Sequence, residues 1–290
     1  MVMKRLVRNP ISMLGLIILL GFIILAVFAP WIAPTPERYK DEPYRIPRYG
    51  YRATPAPPSP DHPFGLTEGQ HDIFYGIVWG TRTAFRVGLL VAGISCLIGV
   101  AVGSVSAYTG GKADESIMRV VDIFMSFPFI IAAIVVTSVF GKSLTNVMIA
   151  LIFFSWMNYA RLIRGNILQV KQEEYVMAAR ASGVSHLKIV LRHLLPNSIF
   201  PVLIQASMSL GSVVLSVAGL SFLGLGAEPG YADWGQMLSF ARNWLMGTPG
   251  NPLAYWYVVV YPAAAIVLFV LSWNLIGDAF RDILDPRIQA

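Results

Sequence analysis

The sequence predicts an all-α protein, a polytopic membrane bundle of six transmembrane helices. Three observations predict it. Hydrophobic residues fill 56% of the 290 positions and charged residues only 13%, about half the charged share of a soluble domain. The mean hydropathy is +0.61. Six segments also approach the roughly 20 apolar residues that a helix needs to cross a bilayer. A chain so poor in charge cannot cover a soluble surface, so its outside must face lipid. In lipid an isolated strand leaves its backbone unsatisfied, and each span is therefore a helix.

The first span runs from Ile11 to Ile32, behind Lys4, Arg5 and Arg8. Basic residues before an apolar run also suit a secretory leader. This run exceeds the roughly 7–15 residues of a leader core, and no clear small-x-small site closes it, so it reads as a retained span. The second span, Val87 to Tyr108, carries no charge. The third, Ile117 to Phe140, holds Arg119 and Asp122 near its start. The fourth, Ser143 to Ala160, is shorter. The fifth is Ser198 to Leu223 and the sixth Leu253 to Ile276. Gly99 and Gly103 in the second span, and Gly76 and Gly80 just before it, form small-xxx-small pairs that let helices approach closely.

Four of the connections between the spans are informative. Pro34–Tyr75 is long, polar and rich in Pro, Arg and Tyr. Gly110–Ser116 is a tight polar turn, and Arg161–Asn197 is the longest basic stretch. Gly224–Pro252 is rich in Gly and Pro. Loops facing the cytoplasm carry excess Lys and Arg. That rule places both termini, Gly110–Ser116 and Arg161–Asn197 inside. The long first loop, with Arg38, Lys40, Arg45, Arg48 and Arg52, breaks the pattern, but long loops obey it poorly. Arg82 and Arg86 then lie at the outer interface, where long side chains snorkel. The expected organisation is an N-tail and first span at 1–33 and an extracytoplasmic loop at 34–79. A five-helix transport core at 80–280 carries the inner loop 161–197, and a C-tail follows at 281–290.

Net charge is +6, which in a membrane protein reflects basic inner loops before it suggests nucleic acid. The single cysteine, Cys96, sits in an apolar run and excludes a disulfide within the chain. Gly141-Lys142-Ser143 resembles the tail of a phosphate-binding loop, but Val136 stands where its first glycine belongs. The chain therefore has no ATPase motif of its own. His62, His71, His186 and His193 form no metal-binding pattern. No metal, cofactor or catalytic residue is expected. Ionisable or polar groups inside spans are few: Asp122, Asn274 and Asp278, all near the inner face, where helix capping or pairing accounts for them. A proton-coupled carrier usually places acids near the midplane.

The inner loop is the informative piece. Glu173 and Glu174 suit a helix N-terminus, Tyr175, Ala178, Ala179 and Ser182 share one face, and Gly183 suits a C-cap. Ser185 then caps a second helix with Leu187, Val190, Leu191 and Leu194 as its apolar stripe, ended by Pro196. Two short amphipathic helices hinged at a glycine fit docking into a partner's groove, and equally fit lying on the membrane surface.

This loop resembles the EAA loop of ATP-binding cassette (ABC) import permeases. Glu174, Ala178, Ala179, Gly183 and Leu195-Pro196 match its pattern, with Met177 at the first position of the triplet. Two further stretches are similar to the dipeptide/oligopeptide/nickel permease family, in its second, C-type subunit. One is Gly219-Leu220-Ser221-Phe222-Leu223-Gly224-Leu225-Gly226 with Glu228-Pro229 and Trp234-Gly235-Gln236-Met237-Leu238. The other is Trp273-Asn274-Leu275-Ile276-Gly277-Asp278 with Arg281-Asp282 and Leu284-Asp285-Pro286-Arg287. The resemblance covers roughly Asp61 to the C-terminus.

The resemblance implies a type I ABC importer permease in a prokaryotic inner membrane. It implies a homologous permease partner, two ABC ATPase subunits holding ATP and Mg, and an extracytoplasmic solute-binding protein. In that family the loop is a coupling helix seated in a cleft of the ATPase, which assigns coupling to Glu174, Tyr175, Ala178, Ala179, Gly183, Val184, Leu187 and Pro196. The implied solute is a dipeptide or oligopeptide, with oligosaccharides carried by some members. The stretch Phe64–Asp72 departs from the usual pattern of the subfamily on the outer side. A proton-coupled carrier acting alone, and a membrane scaffold, are the rival readings.

Overall fold

The computed structural model describes residues 9–284. Lys4, Arg5, Arg8, Asp285, Pro286 and Arg287 lie outside the described residues. In chain order the helices are α1 (Pro10–Ile32), α2 (Ile73–Thr109), α3 (Gly111–Met125), α4 (Phe129–Phe140), α5 (Leu144–Val170) and α6 (Glu174–Ala181). They continue with α7 (His186–Ile189), a π segment (Val190–Leu194), α8 (Leu195–Ser198), α9 (Phe200–Phe222), α10 (Trp234–Ala241) and α11 (Trp256–Leu284). Among the described residues there are isolated bridges but no strands.

Five helices, α1, α2, α5, α9 and α11, are each long and apolar enough to cross a membrane. The pair α3 and α4, bent by 81°, makes a sixth crossing if the two are taken as one broken span, and a re-entrant loop otherwise. The sequence expectation of one continuous third span is corrected here. Pro128 has no N–H for the helical ladder, and its ring disfavours helical geometry at Phe127. Ser126 closes α3 instead, its hydroxyl donating to the Ile123 carbonyl at 2.6 Å. A hydropathy count does not register such a break, because both halves are apolar.

The second span also differs. Asp72 caps α2, its Oδ1 accepting from Tyr75 N at 2.9 Å. The helix has 37 residues, about 55 Å at 1.5 Å each, against a hydrocarbon core of about 30 Å. Gly76, Gly80, Arg82 and Arg86 therefore lie inside α2, not ahead of it, and the expected loop 34–79 ends at Asp72. Similarly α5 runs on through Arg161 to Val170, which the sequence reading placed in a loop. The turn Gly110–Ser116 contracts to Gly110, since α3 begins at Gly111. The last helix begins at Trp256 and passes Ile276 to Leu284.

Two faces result. Residues 33–72 and 223–255 lie on one, and residues 171–198 on the other. Protein covers the extra turns of α2 on the first face: Ile73, Tyr75, Ile77, Val78 and Trp79 are buried. Trp79 Nε1 donates to Ala33 O at 2.9 Å and Trp234 Nε1 to Ile77 O at 3.2 Å. The Trp234 ring packs between Phe22 and Phe269, with centroids 5.8 and 5.7 Å away. The departing stretch Phe64–Asp72 is locked into this layer, with Glu68 accepting from Trp244 Nε1 at 2.7 Å and Asp72 pairing with His62 at 2.7 Å. Through the membrane, α2 and α5 form the tightest seam. A methyl group at Gly99 would lie 2.5 Å from Trp156 O, and one at Gly103 would strike Ala160 O. Only glycine lets these backbones approach so closely.

Candidate functional site

The segment joining α5 to α9 carries the residues that the sequence singled out. Glu173 stands at the N-cap of α6 and Glu174 in its first turn, where carboxylates oppose the positive end of the helix dipole. At the other end Ser182 is the C-cap and Gly183 takes φ +72°. Gly183 N donates to Arg180 O at 3.0 Å and Val184 N to Ala179 O at 3.2 Å. These paired bonds form the Schellman turn, which needs a left-handed residue at that place. Ser185 occupies the N-cap of α7 without a side-chain bond.

Val176, Ile189 and Leu194 anchor the segment, buried with Ile163 and Ile167 of α5 and Val202 of α9. The opposite side is open. Tyr175 is 45% exposed, Met177 52%, Leu187 70% and Leu191 56%, while Glu174 and Ala178 are also exposed and Ala179 and Val184 half-buried. The expected apolar stripe Leu187-Val190-Leu191-Leu194 is thus split. Leu194 packs inward, Val190 is half-buried, and Leu187 and Leu191 face out among Lys188 and Arg192. Pro196 does not end the second helix either. It enters the first turn of α8, where its missing N–H is tolerated. The π segment precedes it, and Asn197 Nδ2 donates to His193 O at 2.6 Å.

Charged contacts tie this segment to the spans. Lys171 Nζ donates to the Ala107 and Tyr108 carbonyls, each at 3.0 Å, and so caps the last turn of α2. The Tyr108 ring lies 5.7 Å from Lys171 Nζ and 5.9 Å from Arg180 Cζ, and its hydroxyl bonds His186 Nδ1. One aromatic ring at the end of α2 therefore touches the end of α5, α6 and α7. Deeper in, Arg164 Nε and Nη2 donate to the two Asp114 oxygens at 2.6 and 2.7 Å, and Ser106 donates to the same carboxylate. Arg161 donates to Asp122 at 2.6 Å, so Asp122 is a pairing residue. Arg161, Arg164 and Lys171 thus serve the bundle's own packing.

The remaining motif residues lie elsewhere. Gly219, Leu220, Ser221, Gly224 and Gly226 shape the turn leaving α9 on the opposite face. Gly224 takes φ +76°, and Leu225 N donates to Leu220 O at 3.0 Å in a second Schellman turn. Asp233 then caps α10 at Gln236 N, 2.7 Å away, burying Trp234 and setting Gly235 on the Ala218 backbone. Asn274 and Gly277 lie on α11, with Gly277 against Met208 of α9, and Asp278 and Arg281 are exposed. The residues from Gly219 to Gly235 lie on the face opposite α6 and set helix packing and turns, whereas Asn274 to Arg281 lie at the α6 end of the bundle, where Gly277 packs on α9.

One feature escaped the sequence reading. Between α4, α5 and α9 lies a groove lined by Ser155 and Asn158 of α5, Gln205, Ser209, Ser212 and Ser216 of α9, and apolar walls including Phe129. The α9 residues recur at i, i+4, i+7 and i+11, one helical stripe. That spacing was the available signal, hidden in a span read only for its overall apolarity.

The comparisons agree with this geometry. Residues 99–290 match the family described as "Binding-protein-dependent transport system inner membrane component". Residues 1–58 match "N-terminal TM domain of oligopeptide transport permease C". The dipeptide transport system permease protein DppC of Alkalihalophilus pseudofirmus is 34% identical over 287 residues, covering 99% of this chain and 89% of that protein. The glutathione transport system permease protein GsiD of Escherichia coli O6:K15:H31 is 38% identical over 286 residues, again covering 99% and 89%. A solved structure of the MetNI methionine ABC transporter in inward-facing conformations aligns with TM-score 0.58 and 21% identity. The alignment covers 73% of this chain and 98% of that one, which makes the fold a shared one.

Proposed function

The chain belongs to the family of binding-protein-dependent transport inner membrane components, and from that premise we propose that it is the peptide-conducting permease subunit of an ABC importer. The relatives named for dipeptide and glutathione transport support short peptides as the solute class. The oligosaccharide option gains no such support. The working assembly pairs this chain with a homologous permease, two ATPase subunits that hold ATP and Mg, and an extracytoplasmic binding protein. The 171–198 face is cytoplasmic, as are both termini, and the 33–72 face meets the binding protein.

The observation that carries this reading is the α6–α7 segment. It is rigid at its turn, anchored from below and open above. Its outer face mixes apolar and polar groups, with Tyr175, Met177, Leu187 and Leu191 beside Glu174, Lys188 and Arg192. A surface-lying helix would turn its apolar residues toward the bilayer. Here the inward residues pack on the chain's own helices, and the exposed ones point away from them. A cleft lined by Leu168, Gln172, Glu173 and Tyr175 adjoins the same face. A moving ATPase would push α6 and α7. Tyr108 passes the push to α2, and the Val176, Ile189 and Leu194 contacts pass it to α5 and α9.

The test is uptake by the complex in proteoliposomes. With permease partner, ATPases and binding protein present, trialanine accumulates only with ATP. Trialanine uptake driven by a proton gradient through this chain alone would overturn the proposal.

A further inference from the structure

We propose that the groove between α4, α5 and α9 holds the solute at mid-membrane, and that it binds peptide amides by neutral hydrogen bonding, without using charge. The inference rests on the permease reading and adds a site and a chemistry to it.

Three observations carry it. The first is placement. Gln205, Ser209, Ser212 and Ser216 lie along α9, with Gln205 and Ser212 exposed, and Asn158 is exposed on α5. Polar groups at this depth are costly against lipid and call for water, protein or a polar solute. The second is Tyr159. The residue lines the groove with its side chain 2% exposed, and its buried hydroxyl, with Ser209 as its polar neighbour, has no hydrogen bond of good geometry. A buried hydroxyl left unbonded is destabilising, so such an atom marks a place for an absent partner.

The third is chemical character. Among the residues that line the groove there is no Asp, Glu, Lys, Arg or His. Ser209, Ser212 and Ser216 donate their protons to Gln205 O, Ser209 O and Ser212 O at 2.7, 3.1 and 2.9 Å. Gln205 Nε2 donates to Ser209 Oγ at 3.5 Å, and the Ser212 and Ser216 lone pairs remain as acceptors along the stripe. The Asn158 and Gln205 carboxamides and the Tyr159 hydroxyl add donors. Such a wall complements the repeated N–H and C=O groups of a peptide in many registers. A small-residue stripe also suits helix packing against the homologous permease, and the experiment separates that case.

The experiment uses the complete transporter in membrane vesicles, in a Cys96→Ser background, with Ser212→Cys on the groove and Leu20→Cys as the control on exposed, apolar α1. Cationic and anionic membrane-impermeant methanethiosulfonates are the probes. We expect Ser212→Cys to react at least about tenfold faster than Leu20→Cys, as expected for a thiol in water rather than hydrocarbon. The rate ratio of the two reagents stays within about threefold of that on a free thiol, because no fixed charge biases it. Excess trialanine slows the modification about fivefold or more, as an occupied site requires. Equal slowness at Ser212→Cys and Leu20→Cys would mean that protein or lipid fills the groove. A strong preference for one reagent charge would overturn its neutrality. Fast modification that trialanine does not slow would overturn peptide binding there. ATP-driven uptake separates the two readings: no uptake by the wild-type complex sinks the permease reading, whereas intact uptake by the wild type and the Cys96→Ser parent with an inert Ser212→Cys sinks only the groove assignment.

Discussion

Gly183 offers a graded perturbation of the coupling segment. Its φ is +72° and a Cβ placed there meets nothing within 4 Å. Substitution therefore acts on the backbone alone, without a clash inside the chain. A left-handed conformation costs an ordinary L-residue about 1–2 kcal/mol. That is a factor of about 5–30 in the population of the closed turn. Asparagine tolerates the left-handed region and carries less of this cost, whereas valine carries more because of its β-branch. The expected order of ATP-driven uptake is glycine, then asparagine, then alanine, then valine, with alanine several-fold below wild type. Uptake per membrane-inserted protein is the assay, with insertion measured separately. Equal uptake by the alanine and valine variants and the wild type would refute the reasoning, because the turn would then not transmit the motion.

Two further predictions follow from charged groups. Removing one member of the Arg164–Asp114 pair leaves the other uncompensated, at a cost of about 3 kcal/mol. Asp114→Ala therefore lowers the thermal midpoint in detergent. Arg164→Lys does not restore a bidentate bond, and the double variant Asp114→Asn with Arg164→Gln is milder than Asp114→Ala. On the opposite face, burial pushes the Asp233 carboxyl up to about 6. A raised folded value means that its contribution, favourable below the unfolded pKa, is lost as pH rises through about 6. Asp233→Asn keeps a capping acceptor and removes the charge. Its thermal midpoint should exceed that of the wild type near neutral pH, and the difference should vanish at about pH 3, below the ordinary carboxylate value. A midpoint difference that persists at low pH would contradict the assignment.

The spans were legible because lipid imposes a simple criterion, a run of apolar residues. That criterion failed where protein, not lipid, is the neighbour. The first turns of α2, from Ile73 to Arg86, are helical under a protein cover, and Arg161 to Val170 extend α5 with their charges paired or water-facing. The break at Pro128 was visible as a proline but not as a bend, since apolar runs on both sides masked it. In the α6–α7 segment, the glutamates at the start and Gly183 at the turn were readable, because caps are local chemistry. The division of Leu187, Leu191 and Leu194 between outside and inside was not. It depends on where α5 and α9 lie, and only the tertiary arrangement supplies that.

The central claim is that the face bearing Tyr175, Met177 and Leu187 seats an ATPase subunit. A photo-crosslinking amino acid in place of Leu187, which is 70% exposed, tests it most directly in the assembled transporter. A crosslink to the ATP-binding polypeptide is expected, and none from the same probe at Leu20. Crosslinks from position 187 to lipid alone, in a complex that still hydrolyses ATP and transports, would contradict it.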